Sequence, residues 1–193
     1  MKRIALIGLA IMASVLSSSQ AIARVKTANV VIDGNGVVRE YYGVPLDLTI
    51  KKLAKLRFKY NLSQEPGDEA SVDTVAVIVA RTGIRVKATF SDCGHLWRFE
   101  TKTRGALGLQ SLGVGSTLGD LKRAFPSRRP YWGATPHGQY YATFGTDTRL
   151  TYHFSPFDLP KEAWSRDPKQ YELPSSIKVT KITIEPIDPF GGC

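Results

Sequence analysis

The sequence predicts an α+β fold of two similar units, each a short helix packed on an antiparallel sheet of about three to four strands. Three observations carry this expectation. Residues Gly113 to Phe125 read Gly-Val-Gly-Ser-Thr-Leu-Gly-Asp-Leu-Lys-Arg-Ala-Phe. Thr117 follows glycines and precedes Leu118, Leu121 and Phe125, the spacing of a capped helix with one apolar face. A weaker copy stands upstream, where Gly43-Val44-Pro45 introduces Thr49, Ile50, Leu53 and Leu56. After each helix come alternating apolar and polar runs separated by short turns, the pattern of antiparallel strands with one buried face.

The first 23 residues read as a targeting segment. Lys2 and Arg3 supply the positive end, Ile4 to Leu16 a mostly apolar run, and Ala21-Ile22-Ala23 the small-x-small cleavage signal. The apolar run is shorter than the ~20 residues that span a bilayer, so a membrane anchor is the weaker reading. The mature chain is expected to start at Arg24, in the periplasm or outside the cell. No cysteine follows the cleavage site to accept a lipid, and no later stretch is apolar enough to span a membrane. Residues 24–104 form the expected first unit. Residues 105–193 form the second, with a proline-rich insert at 155–175.

In chain order, Ala28 to Ile32 and Val37 to Tyr41 flank Asp33-Gly34-Asn35-Gly36, which predicts a hairpin. The first helix is expected over Leu48 to Phe58, followed by a polar loop from Asn61 to Ser71 around Pro66-Gly67-Asp68. Thr74 to Ala80, Ile84 to Phe90 and Leu96 to Thr103 alternate as three strands, with Val75, Val77 and Val79 on one face of the first. Arg81-Thr82-Gly83 and Ser91 to His95 turn the chain between them. The second helix covers Thr117 to Phe125 and stops before Pro126. An aromatic and basic loop, Pro126 to Gly138, leads to strands at Gln139 to Phe144 and Thr148 to Phe154 around a Gly145-Thr146-Asp147 turn. Within the insert, Pro160 to Trp164 is a short helical stretch. The final strand, Ile177 to Glu185, changes parity around Thr180-Lys181, which predicts a bulge.

Beyond Ala23 the chain holds 24 basic and 17 acidic residues, a formal charge of +7. The basic residues are scattered and not gathered in one tail. For an exported protein the matching anions are envelope lipids, wall polymers or an acidic protein, whereas nucleic acid would require contact outside the cytoplasm. A merely solvated basic surface competes with these readings.

Two cysteines, Cys93 and Cys193, suit the oxidising compartment that the targeting segment implies. An internal bridge would tie the final residue to a mid-chain turn and close a loop of about a hundred residues, worth ~4 to 5 kcal/mol in the chain-entropy model. The alternative is pairing between chains through the Phe190-Gly191-Gly192-Cys193 tail. The internal bridge is the favoured reading.

No catalytic residue, cofactor or metal ligand is assigned, and the chain is not expected to be an enzyme. Its histidines, His95, His137 and His153, fall in no metal-binding spacing. His153 alternates with Tyr152 and Phe154 and is expected to face solvent. Ser91-Asp92-Cys93-Gly94-His95 holds a nucleophile, an acid and a base. Catalytic Cys and His usually come from distant parts of a chain, and here they lie in one turn. Gly113-x-Gly115 before a helix could receive a phosphate. It lacks the third glycine and downstream acid of a dinucleotide site, so turning the chain into Thr117 is the better reading. Asp120 and Lys122 are expected on the helix's wet face.

The partner-binding expectation rests on Arg128, Arg129, Tyr131 and Trp132, with Tyr141 nearby. Arginine, tyrosine and tryptophan dominate the hot spots of protein interfaces. In the competing structural reading, Tyr131 and Trp132 fold back over the helix. Trp97 and Arg98 are neighbours on one strand, so one of them must face away from the core.

The stretch Gly113 to Phe125, followed by a hairpin with a Gly-Thr-Asp turn and a final β run, resembles the repeat unit of the β-lactamase-inhibitor protein. It is also similar to the single unit of the small outer-membrane-assembly lipoproteins. The likeness covers residues 113 to 154, and more loosely 43 to 103. It implies export and, for two units in tandem, joined sheets forming a concave surface for a protein partner. No inhibitor contact residue is matched, so no site is carried over. Two cysteines are too few for one disulfide in each unit, and the missing lipid-attachment cysteine argues against the assembly role. The expected function is therefore an exported, soluble, inhibitor-like or immunity-like binding protein. The alternative is an envelope factor that binds anionic lipid or wall polymer through its basic surface.

Overall fold

Strand pairing draws both halves of the chain into one sheet. The computed structural model describes residues 26–27, 29–67, 72–134, 140–146, 148–154 and 172–186. The expected targeting segment, Cys193, and residues 155–171 of the proline-rich insert, with its expected helical stretch at Pro160 to Trp164, lie outside the described residues.

A small antiparallel sheet comes first, with β1 (Lys26–Thr27), β2 (Val30–Ile32), β3 (Val38–Tyr41) and β4 (Val44–Pro45) side by side in that order. The β2–β3 connection is the Asp33 turn: Asp33 Oδ1 accepts hydrogen bonds from the backbone of Asn35 at 2.9 Å and Val37 at 3.0 Å. These bonds to its charged form hold the Asp33 carboxyl below its ordinary pKa.

Next come α1 (Ile50–Leu53), β5 (Lys59–Pro66), β6 (Val72–Val79), β7 (Arg85–Phe90) and β8 (Leu96–Thr101). Then α2 (Leu118–Ala124), β9 (Tyr131–Ala134), β10 (Tyr140–Gly145), β11 (Leu150–Phe154) and β12 (Val179–Ile184) follow. The eight strands from β5 onward form one antiparallel sheet in the order β5-β6-β7-β8-β12-β11-β10-β9. The β8–β12 contact therefore joins strands from either side of residue 104. The α+β class is as expected: antiparallel sheets dominate and the helices are few and short.

Three local expectations are corrected. The first helix is one turn, Ile50–Leu53, and not Leu48 to Phe58. The stretch Asn61 to Ser71, expected as a loop, includes most of β5, whose eight residues all pair with β6. None of those eight is buried. A sheet-edge strand can be held by its backbone ladder without apolar alternation, so it leaves no periodic signal. The loop expected at Pro126 to Gly138 contains β9, an edge strand paired with β10. The bulge falls where the parity change puts it: Lys181 pairs with His153 and Val179 with Phe154, which leaves Thr180 unmatched.

The two helices start in the same way. Thr49 caps α1, its side chain accepting from Lys52 N at 3.3 Å. Thr117 caps α2 with a complete capping box. Its side chain accepts from Asp120 N at 3.2 Å, while Asp120 Oδ2 accepts from Thr117 N at 2.9 Å. Asp120 is thus part of the cap and not simply a wet-face charge. These bonds hold its carboxyl below the ordinary range, with help from the Arg123 guanidinium.

Each cap also meets the residue that precedes a strand. Thr49 bridges His95, with Ile50 N donating to Gly94 O at 2.9 Å and Leu96 N to Leu48 O at 3.1 Å. Thr117 bridges Lys178, with Leu118 N donating to Ile177 O and Val179 N to Ser116 O, both at 2.8 Å.

The core lies on one face of the large sheet. Ile78, Val86, Phe99, Ile182, Tyr152 and Phe144 come from that sheet, Leu53, Leu118 and Leu121 from the helices, and Val30, Tyr41 and Val44 from the small sheet. Burying a side chain such as Leu121 completely is worth about 1.5–3 kcal/mol. The segment between the halves is tied to this core by two tyrosines. Tyr42 OH accepts from Leu107 N at 2.7 Å and Tyr152 OH from Leu109 N at 3.0 Å.

Candidate functional site

Side chains alternate across a strand, so residues next to the core positions populate the other face of the large sheet. There Lys87, Arg98, Glu100, Lys181, His153 and Thr183 come together from β7, β8, β12 and β11. The Lys87 ammonium lies 2.5 Å from Glu65 of β5, spanning the intervening β6. Lys181 lies 3.8 Å from Glu100, whose side chain is only 14% exposed.

A register shift between Thr89 and Phe90 alters the local alternation in β8. Leu96 and Phe99 take the buried positions, and both Trp97 and Arg98 are half-buried. The Arg98 guanidinium carbon sits 4.2 Å from the centre of the Trp97 ring, a cation–π contact.

His153 is not a solvent-facing histidine. Its Nε2 shares a 2.7 Å hydrogen bond with Thr183 Oγ1, and Thr183 is buried. Burial first, then the positive charges of Lys181 and Arg98, push its pKa down to about 4. The imidazole is therefore neutral at physiological pH. Lys181 is itself pushed below the usual lysine value, chiefly by burial.

The residues expected to bind a partner lie at the β9 edge of the same sheet and in the segment before it. Tyr131 opens β9 opposite Thr143, which pairs in turn with His153. Its side chain is 62% exposed, so it does not fold back over the helix. Arg128 N donates to Phe125 O at 3.0 Å, extending the turn after α2, and Arg129 is exposed. Arg129 lies near enough to Glu172 to help Lys122 hold that carboxyl below its ordinary pKa. Lys122, expected on a wet face, makes a 2.9 Å ion pair with Glu172. The backbone places Trp132 opposite Ala142 and Tyr141 opposite Gly133; their side chains lie outside the described residues. Arg128 and Arg129 therefore lead through Pro130 into Tyr131 at one sheet edge, with Trp132 and Tyr141 in the two outermost strands.

Cys93 sits in the Ser91–His95 turn, closed by Gly94 N donating to Ser91 O and Ser91 N to His95 O, both at 2.8 Å. No free cysteine occurs among the described residues, and Cys193 lies outside them. Nor do three His, Cys, Asp or Glu side chains among the described residues group closely enough to hold a metal ion. No described helix is long and apolar enough to cross a membrane.

The charged cluster on the sheet was missed in the sequence because its members are far apart along the chain. The available signal was the parity of Arg85, Lys87 and Thr89 on one strand and of Arg98, Glu100 and Lys102 on the next. Nothing local announces that Lys181 and His153 join them.

No protein-family model matches the chain, and no curated protein matches it in sequence. Among solved structures it is similar to the uncharacterized protein yfeY from Escherichia coli, at 14% identity and a TM-score of 0.47, over 73% of this chain and 90% of that one.

Proposed function

We propose that this chain is an exported binding protein that engages a protein partner through the Arg128–Trp132 edge of its large sheet and the adjoining face. The observation that carries the reading is Tyr131, a large aromatic side chain 62% exposed on an edge strand beside two arginines. An aromatic side chain held on a strand and not on a long loop loses little freedom on binding. The reading is one of binding and not of catalysis. Cleavage after Ala23 and residence in the periplasm or outside the cell belong to the same proposal.

The proposal includes a tandem architecture like that of the β-lactamase-inhibitor protein. One unit is α1 with β5 to β8, the other α2 with β9 to β12, joined along β8–β12. The matched cap bridges support it, since Thr49–His95 and Thr117–Lys178 occupy equivalent places in the two successions. It also includes an internal Cys93–Cys193 bridge. Because β12 runs antiparallel to β8 with Ile184 opposite Phe99, the chain after Ile184 heads the way β8 came. Cys93 is six residues from Phe99 and Cys193 nine from Ile184, enough chain to reach.

Capture of partners from periplasmic extract on immobilised protein tests this function. A specific protein retained by the wild type and lost from Arg129→Ala and Tyr131→Ala supports it. Equal retention by all three removes these residues from the interface.

A further inference from the structure

In the half of the large sheet built by β5 to β8, β7 and the end of β8 frame an open cleft of about 410 Å³. Arg85, Lys87, Lys102, Glu100, Val77 and Thr103 are among its lining residues. Lys87 stands directly opposite Glu100, and continuing that register places Arg85 opposite Lys102. The frame is fixed by backbone contacts: Thr101 Oγ1 donates to Arg85 O at 2.8 Å, and Thr103 Oγ1 accepts from Arg85 N at 3.2 Å.

The charges around the cleft do not cancel. Glu65 is engaged by Lys87 at 2.5 Å, and Glu100 lies 3.8 Å from Lys181. Arg85 and Lys102 are exposed and have no ion pair among the described residues. The excess is felt nearby. Besides burial, the positive charges of Arg98, Lys102 and Lys87 lower the pKa of Lys181, against Glu100 alone, which raises it.

Lys87 is already paired with Glu65, and the two further cationic side chains of Arg85 and Lys102 at one solvent-open cleft favour a small anion carrying more than one charge. A single carboxylate would answer one of them. A phosphate or pyrophosphate group offers oxygens for the arginine fork and further charge for Lys102, with Lys87 beside them. We infer that the cleft lined by Arg85, Lys87 and Lys102 binds a phosphate or pyrophosphate group, presented by a small soluble phosphoester or by a lipid headgroup. This inference is independent of the partner-binding edge, from which the cleft is separated by β12, β11 and β10.

Calorimetric titration with inorganic pyrophosphate at low salt and neutral pH tests it, using the wild type, an Arg85→Gln/Lys102→Gln variant and Tyr131→Ala. Both substituted cleft residues are exposed, and matched thermal unfolding curves verify that the fold is retained. The expected result is saturable binding by the wild type and Tyr131→Ala, weakened about tenfold or more in the double variant and by added salt. Parallel flotation with phosphatidylcholine vesicles, with and without phosphatidic acid, separates the sources. Pyrophosphate binding without flotation assigns a soluble ligand. Flotation with phosphatidic acid that is lost in the double variant assigns a lipid headgroup. Absence of saturable pyrophosphate binding, or binding unchanged in the double variant, overturns the inference whatever the vesicles show.

Discussion

Thr117 and Lys178 face each other in an isolated antiparallel bridge, so the residue that caps the second helix also fixes where β12 begins. The Thr117 side chain makes the cap, while the backbone on either side of it, Ser116 O and Leu118 N, makes the long-range contact. Thr117→Ala is expected to lower stability by about 1–2 kcal/mol. Thr49→Ala should cost less, because its cap bond is 3.3 Å long and Lys52 occupies the position where Asp120 completes the box. In urea unfolding, Thr117→Ala/Asp120→Ala should cost less than the sum of the single variants, since the two residues share one box.

Gly113 carries a sharper constraint. A Cβ there would lie 1.9 Å from the carbonyl oxygen of Ala106 and 2.7 Å from Cα of Leu107, both backbone atoms that cannot turn aside. The glycine therefore permits a close approach of two chain segments. Gly113→Ala should destabilise by on the order of 3 kcal/mol or more. At Gly145 an added Cβ meets nothing within 4 Å, so Gly145→Ala is the matched control, with an effect of about 1 kcal/mol or less in the same unfolding assay.

The buried His153 links stability to pH. Its folded pKa, about 4, lies below the ordinary value of 6.5. Between those values the unfolded chain binds a proton that the folded chain does not, so stability is lost as pH falls from about 6.5 to about 4. The loss is on the order of 2–3 kcal/mol. His153→Gln should flatten this part of the pH–stability curve, and a variant as steep as the wild type there would contradict the burial assigned to the ring.

The proposed Cys93–Cys193 bridge would close about a hundred residues, for which the chain-entropy model gives about 4–5 kcal/mol less any strain. Intact mass measured without reductant should show a monomer with no alkylatable thiol. Cys93→Ser should unfold at markedly lower denaturant concentration. A disulfide-linked dimer would instead favour pairing between chains.

The sequence made the second helix legible to within a residue at each end, because the Thr117 cap, the Leu118–Leu121 spacing and Pro126 are local signals. Strands β10 and β11 were legible for the same reason, since both bury alternate residues, whereas in β6 the core takes Ala76 and Ile78 from the face opposite Val75, Val77 and Val79. Edge strands β5 and β9 were not, since an edge held by its backbone need not bury a face. The first helix was drawn too long because Leu56 and Phe58 keep helical spacing although the chain leaves the helix at Ala54. Least visible was the site. Tyr131, Arg128 and Arg129 are consecutive or nearly so and could be named, whereas Lys87, Glu100, Lys181 and His153 meet only through the long-range β8–β12 pairing.

The most direct measurement of the binding proposal is partner recovery from periplasmic extract on wild-type protein and on Arg129→Ala, Tyr131→Ala and Trp132→Ala, each checked for an unchanged unfolding midpoint. The expected result is one protein retained by the wild type and reduced about tenfold or more by Arg129→Ala and Tyr131→Ala, the loss typical of truncating an interface anchor. Recovery of the same proteins in the same amounts on all four would contradict it.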